Sequence, residues 1–266
     1  MDTLYIIFSA LIQSLTEFLP VSSSGHLVIW HHFLNSPVNA LHLDIVLHLG
    51  SALALLVFFW SDIVRILKAW FKSLTGHCSG DSRLGWMLIV STLPAAIVGF
   101  LAEDFITNIF RSTTWVIVML ILVAVIFILV ERYARAEKDL TSINFKKAVL
   151  IGLAQCLALI PGTSRSGITI VAGMLAKIKR AEAARYSFLL AIPTILGASC
   201  RGLTMIASQG TTMSSMIKLG IGLFICFVFS FYVIKYFIRY LNTHSLRVFA
   251  WYRIILAVVV WLVLAI

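Results

Sequence analysis

Two segments of the 266-residue chain set chemically capable side chains among otherwise apolar residues. The first runs Gln13-Ser-Leu-Thr-Glu17-Phe-Leu-Pro20-Val-Ser22-Ser23-Ser24-Gly25-His26. The second runs from Gln155 to Pro161-Gly-Thr-Ser164-Arg165-Ser166-Gly167-Ile-Thr169. Between them they hold a carboxylate, an imidazole, a guanidinium and several hydroxyls. In hydrocarbon such groups are costly unless they face a site or each other, so the pair is the place to look for function.

Each segment suggests a chemistry. Gln13 and Glu17 are four residues apart, so on a helix they share one face and could hold a cation or a water together; a bond to a neighbouring helix is the alternative use. Ser22, Ser23, Ser24 and His26 follow a proline break, where hydroxyls and backbone N–H groups open to a ligand. Serine beside histidine is the minimum for an activated oxygen nucleophile, and a helix cap is the plainer use of three serines. Around Arg165, glycines let amides approach an anion, hydroxyls donate, and the planar guanidinium suits phosphate oxygens. A salt bridge from Arg165 to Glu17 is the competing reading, and the two uses are compatible. His31 and His32 lack evident ligand partners and are expected as a solvated interfacial pair. Cys78, Cys156, Cys200 and Cys226 show no C-x-x-C spacing and read as packing residues.

The elements that must position these groups are membrane helices. With 61% hydrophobic and 12% charged residues and a mean hydropathy of +1.00, the chain carries more apolar surface than a soluble fold can bury. Spans are expected near 43–64, 84–102, 115–130, 186–207, 215–238 and 248–266. Residues 4–34 and 146–178 are also apolar, but Pro, Gly and clustered Ser interrupt them, and they read as two re-entrant helical hairpins. No cleavable signal peptide is expected, because the first segment lacks a basic leading region.

Lysine and arginine set the orientation. Seventeen of the 21 basic residues fall in four regions, around 65–83, 132–147, 177–185 and 235–253, all expected on the cytoplasmic side, with loops 103–112 and 208–214 outside. The net charge of +10 then reflects anionic lipid rather than a nucleic acid partner. Carried through the chain, this orientation makes residues 1–140 and 141–266 inverted copies, each a hairpin followed by three spans. The spacing from Gln13 to Gly25 equals that from Gln155 to Gly167. Inverted repeats with interrupted helices build one shared site near the midplane.

At these residues the chain resembles a known family. The Gln-x-x-x-Glu segment followed by Phe-Leu-Pro-Val-Ser-Ser-Ser-Gly-His, with Pro-Gly-x-Ser-Arg-Ser-Gly-x-Thr, resembles the undecaprenyl-diphosphate phosphatases of the bacitracin-resistance type. Ala-Gln-Cys-Leu-Ala-Leu before the second motif and Ser187-Phe-Leu-Leu-Ala-Ile-Pro193 after it extend the likeness over nearly the whole chain. The resemblance implies hydrolysis of undecaprenyl diphosphate to the monophosphate and phosphate, recycling the cell-wall lipid carrier. It also implies a divalent cation (Mg2+ or Ca2+), a bacterial inner-membrane location and a site opening outward. It places the acidic pair on Gln13 and Glu17, with Glu17 the main metal ligand because the first position is Gln here. Ser23 is the expected nucleophile, His26 the acid/base, Arg165 the phosphate clamp, and Ser22, Ser164, Ser166 and Thr169 the phosphate-binding hydroxyls. The family leaves open attack by His26 or by water.

The phosphatidic-acid phosphatase signature is excluded, since no His follows Ser164-Arg165 at the spacing its His-x-x-x-Asp requires and the Lys-x6-Arg-Pro element is missing. A carrier or flippase for a polyprenyl phosphate is the alternative from another class, because secondary transporters also use inverted repeats with broken helices. The serine–histidine pairing favours chemistry over transport. Small residues at Gly197, Ala198, Gly220 and Gly222 suit close packing or a homodimer face.

Overall fold

Apolar runs that open on hydroxyl or amide residues become helices, because those side chains satisfy the amides that a helix N-terminus leaves unpaired. Ser112, Asn144 and Thr212 each cap the helix that follows by accepting from an N–H three residues on. The computed structural model describes residues 3–34, 40–110, 112–134, 136–209 and 212–265. Its helices are α1 (Thr3–Phe18), α2 (Ser23–Phe33), α3 (Ala40–Phe58), α4 (Trp60–Ser73), α5 (Gly80–Phe110), α6 (Thr113–Tyr133), α7 (Phe145–Leu157), α8 (Arg165–Leu175), α9 (Arg180–Gln209), α10 (Met213–Leu241) and α11 (Arg247–Ala265). Among the described residues there is no strand, only one isolated bridge between Lys138 and Ile178.

Six helices, α3, α5, α6, α9, α10 and α11, are long and apolar enough to cross a membrane, and the protein is an all-α integral membrane protein. Large apolar side chains such as Phe100, Leu101 and Phe224 point outward, as a lipid-facing surface requires. The other apolar helices come as two short pairs, α1 packed on α2 and α7 on α8, each pair joined by a tight turn at a proline. α1 is wedged against α3 and α10, α11 lies on α6, and α8 packs between α7 and α9. Phe18 of α1 meets Phe188 of α9 edge to face at 5.3 Å, in a core cluster that both halves of the chain supply.

Several boundaries differ from the sequence reading. The span expected at 43–64 ends at Phe58, and residues 60–73 form the separate helix α4, with Trp60, Leu67 and Phe71 exposed beside Arg65, Lys68 and Lys72. That composition suits the membrane interface better than its interior. The segment read as a loop at 103–112 continues α5 to Phe110, with residue 111 outside the described residues. Residues 210 and 211 of the other expected loop also lie outside them.

Many of the basic side chains read as cytoplasmic do gather with acidic partners. Arg180 forks onto buried Glu131 with bonds of 2.8 and 2.7 Å, Arg185 reaches Asp62 at 2.7 Å and Lys179 reaches Asp139 at 2.7 Å. Arg253 does not join them. It was counted among that flank by its place in the sequence, yet it is fully buried within α11.

Candidate active site

The two turns between the paired helices are built alike. Ser22 and Ser164 both take the left-handed backbone, at φ 75° and 74°, a conformation non-glycine residues rarely adopt. Each hydroxyl then accepts from the glycine N–H three residues on, Gly25 and Gly167, at 3.2 Å. Each also lies near the hydroxyl two residues on, 3.3 Å to Ser24 and 3.2 Å to Ser166. The capping use weighed for the first serine cluster is therefore real for Ser22, and Ser164 caps the second helix in the same way. Its consequence is positional: Ser23 and Arg165 become the first residues of α2 and α8, at equivalent places on two helix N-termini, the end of a helix that favours anions.

Both then meet the same carboxylate. Ser23 donates its hydroxyl to Glu17 Oε2 at 2.6 Å, and Arg165 donates from Nη2 to Glu17 Oε1. Gln13 donates from Nε2 to Oε2 at 3.0 Å, as the four-residue spacing on α1 predicts. Glu17 is buried, while Ser23 and Arg165 are only partly covered. Two polar atoms here have no hydrogen-bond partner although buried: the Gln13 amide oxygen and Arg165 Nη1. Buried polar atoms left unpaired are rare, so each of these is available to a further partner. One is an acceptor suited to a cation; the other is a cationic donor suited to an anion.

The remaining predicted residues divide. Ser164 and Ser166 are buried in the second turn beside Arg165, with Ser166 also donating to Leu19 O of the first turn at 3.4 Å. The Thr169 hydroxyl turns away, bonding Arg165 O at 2.8 Å and Ser187 Oγ of α9 at 2.6 Å, so it anchors α8. His26 is one turn beyond Ser23 but does not bond it. Its Nδ1 donates to Ser22 O at 2.8 Å and its Nε2 meets the Tyr252 hydroxyl at 2.8 Å, with the two rings stacked. Of the pair expected to be solvated, His32 is exposed and His31 is not. His31 is bound by the Tyr5 hydroxyl and by Asp44, whose carboxylate oxygens both lie 3.0 Å from Nε2.

Two functional side chains escaped the sequence reading. Arg253 lies beneath both turns and donates to Pro20 O at 3.3 Å and Gly162 O at 2.8 Å, and to Leu120 O and Met119 O of α6 at 3.2 and 3.0 Å. Gly162 permits this approach. Its φ is +93°, and a Cβ there would lie 2.8 Å from Val116 O. The second is His48 of α3, whose Nε2 sits 3.6 Å from Glu17 Oε2. An ionisable side chain inside an expected span was the available signal in both cases.

The donor set fits a divalent cation of the kind the resemblance implies. Glu17 offers a carboxylate and Gln13 an unpartnered amide oxygen, and hard cations take oxygen ligands of both kinds. Among the described residues no three His, Cys, Asp or Glu side chains converge closely enough to hold an ion unaided. A cation here would draw on phosphate oxygens for its remaining ligands, as Mg2+ commonly does.

Fold and site together define a polytopic helical membrane protein with a polar centre around Glu17. Residues 6–259 match the family described as "Bacitracin resistance protein BacA", and the chain belongs to that family. It is 41% identical over 260 residues to a protein named undecaprenyl-diphosphatase from Paenarthrobacter aurescens, covering 96% of this chain and 94% of the relative. Proteins of the same name from Teredinibacter turnerae and Acinetobacter baumannii are each 38% identical, over 98% and 97% of this chain and 99% and 94% of theirs.

Proposed function

We propose that this protein hydrolyses undecaprenyl diphosphate to undecaprenyl phosphate and inorganic phosphate, returning the lipid carrier to cell-wall synthesis and so conferring bacitracin resistance. The observation that carries the reading is the Ser23–Glu17–Arg165 contact, in which one carboxylate orients a nucleophilic hydroxyl and a guanidinium that keeps an unpaired N–H.

The chemistry follows from that geometry. Ser23 Oγ attacks the terminal phosphorus and passes its proton to Glu17 Oε2, the atom it already bonds. The bond from that phosphorus to the bridging oxygen breaks, and undecaprenyl phosphate leaves. Water then attacks the phosphoserine and the Ser23 Oγ–P bond breaks: the water hydroxyl stays on phosphorus and its proton goes to Ser23 Oγ. Glu17 releases to solvent the proton it took, and His26 regains from solvent the proton it gives to the leaving oxygen. Arg165 Nη1 and the hydroxyls of Ser164 and Ser166 hold the phosphoryl oxygens, with the α2 and α8 N-termini adding positive potential. Ser22 shapes the turn that presents Ser23. His26, oriented by Ser22 O and Tyr252, supplies the proton the leaving oxygen needs. A divalent cation, Mg2+ or Ca2+, held by Glu17 and Gln13 would neutralise diphosphate charge and polarise a phosphoryl oxygen. Such positioning and charge neutralisation is most of what phosphoryl transfer requires.

The same proposal covers the setting. The two like-built turns support halves 1–140 and 141–266 as inverted repeats, with α1–α2 and α7–α8 re-entrant from opposite faces. The protein resides in the bacterial inner membrane with its site open to the outer side, so the polyprenyl tail stays in lipid while the diphosphate enters the polar centre. Gly222 packs internally against Ile6, whereas Gly197 and Gly220 have nothing within 4 Å of a Cβ position and leave a face on which a second copy could dock.

Phosphate release from undecaprenyl diphosphate by the purified protein in detergent, with and without EDTA, tests the activity. Metal-dependent release that is lost in Ser23→Ala and in Arg165→Ala is the expected result. Wild-type protein that binds substrate through Arg165 and releases nothing would make it a lipid-phosphate carrier instead.

A further inference from the structure

His48 has no part in the mechanism above, yet its surroundings are those of a metal ligand. Its Nδ1 lies 2.7 Å from the backbone carbonyl of Asp44, one turn earlier on α3. A carbonyl only accepts, so Nδ1 carries the hydrogen and Nε2 is the ring nitrogen left to bind an ion. Ligating histidines are oriented in this way, with the second ring nitrogen donating to a carbonyl or carboxylate. Nε2 faces Glu17 Oε2 at 3.6 Å, too far for a hydrogen bond. Two donors each about 2.1 Å from one ion lie about 3.0–3.6 Å apart, so the spacing matches a shared cation. The unpartnered Gln13 amide oxygen belongs to the same cluster, since Gln13 bonds the same Glu17 oxygen. The His48 side chain is about one-third exposed, at 32%, so an ion can reach it, while Glu17 is 6% exposed.

We infer that His48 Nε2 is a nitrogen ligand of the site's divalent cation, completing a Glu17–Gln13–His48 set. This inference rests on the reading of the site as cation-assisted. Its chemical consequence is selectivity. A carboxylate and an amide alone suit Mg2+ or Ca2+, whereas an imidazole raises affinity for first-row transition ions, with Mn2+ and Co2+ gaining over Mg2+. Asp44 has two tasks in this arrangement: its carbonyl orients His48, and its carboxylate holds His31 against Tyr5.

The test is pulsed EPR of Mn2+ bound to the full-length protein in detergent with inorganic pyrophosphate, using protein labelled with 15N only at histidine. Wild type should show a nitrogen coupling that changes from the 14N to the 15N pattern with the label, and His48→Gln should lose it. In the same variant Mn2+ affinity should fall at least the about tenfold that removal of even an outer ligand partner costs, with Mg2+ affinity less affected. Mn2+ that binds, is lost in Glu17→Gln and shows no histidine coupling in wild type refutes the role of His48 and leaves the cation site standing. Mn2+ binding unaffected by Glu17→Gln, or no binding by well-folded wild type, overturns both. A histidine coupling that persists in His48→Gln assigns the nitrogen elsewhere and also refutes the inference.

Discussion

Arg253 offers the most demanding test of how the site is held. Its guanidinium donates to four carbonyls, two on α6 and one in each serine-rich turn, and stacks over Phe127 with its carbon 5.4 Å from the ring centroid. The α6 carbonyls also belong to a helical ladder. The Pro20 and Gly162 carbonyls lie in turns and depend more heavily on this donor. Arg253→Met keeps much of the side-chain volume and removes every bond. Charging about 1–3 kcal/mol for each turn carbonyl left unsatisfied gives about 2–6 kcal/mol. The average of about 0.6 kcal/mol per bond measured within a membrane protein, taken over four bonds, gives about 2.4 kcal/mol and supports the lower end. Because the two turns carry Ser23 and Arg165, losing their common tether should also displace the reacting groups. A shift of 1 Å can lower a rate about 100-fold. Unfolding in a graded detergent mixture measures the first effect, and the rate of phosphate release at saturating substrate measures the second. Arg253→Lys, which keeps the charge but cannot span four acceptors, should fall between wild type and Arg253→Met in both. Unchanged unfolding with unchanged kcat would refute the tether. Lost stability with full kcat would reduce Arg253 to a packing residue.

Three further outcomes follow from the geometry. Gly162→Ala forces a Cβ to 2.8 Å from Val116 O in a left-handed backbone, and should destabilise the protein by at least the about 1–3 kcal/mol that such strain costs, read from the same unfolding curve. Arg165→Lys loses the guanidinium fork that bonds Glu17 and still has Nη1 free for phosphate; a charge-assisted bond is worth about 1.5–3 kcal/mol, so kcat/KM should fall about 10- to 150-fold. Gln13→Glu adds a carboxylate beside Glu17, and isothermal titration of Mg2+ with pyrophosphate should show tighter binding; weaker binding would remove Gln13 from the cation site.

The motifs were legible because a membrane makes polar residues conspicuous: Gln13, Glu17, Ser23, Ser164, Arg165 and Ser166 stood out against Leu, Ile and Phe, and the structure brings Gln13, Ser23 and Arg165 onto the Glu17 carboxylate, with Ser164 and Ser166 in the turn beside Arg165. Helix content and the six spans followed from composition and length. What the sequence hid is direction. Thr169 shares a motif with Arg165, but its hydroxyl bonds along α8 and across to Ser187. Arg253 lies six residues beyond Arg247 at the head of α11 and read as a flank, although one more turn and a half of helix carries it into the core. His48 was a lone histidine in a span, and only the folding of α3 against α1 gives it Glu17 as a neighbour. The break at Phe59 was invisible because apolar residues continue through it; past the break, α4 is both more one-sided and less apolar on average than α3.

The likeness of the two turns also explains why the site is asymmetric. The shared cap geometry places whatever residue follows Ser22 or Ser164 at the same point of a helix N-terminus, a hydroxyl in the first half and a guanidinium in the second. The preceding helices diverge in the same way. Gln13 has its counterpart in Gln155, but four residues on the first half carries Glu17 and the second Leu159. A second carboxylate there would compete with Glu17 for Arg165 and repel the incoming diphosphate. With only one, Ser23 and Arg165 must share it, and this sharing sets nucleophile and clamp within a single side chain of each other. Pairing Arg165 with Glu17 through one nitrogen leaves Nη1 unpaired, so on the proposed mechanism the same salt bridge that reads as structural would hold the clamp in position for phosphate.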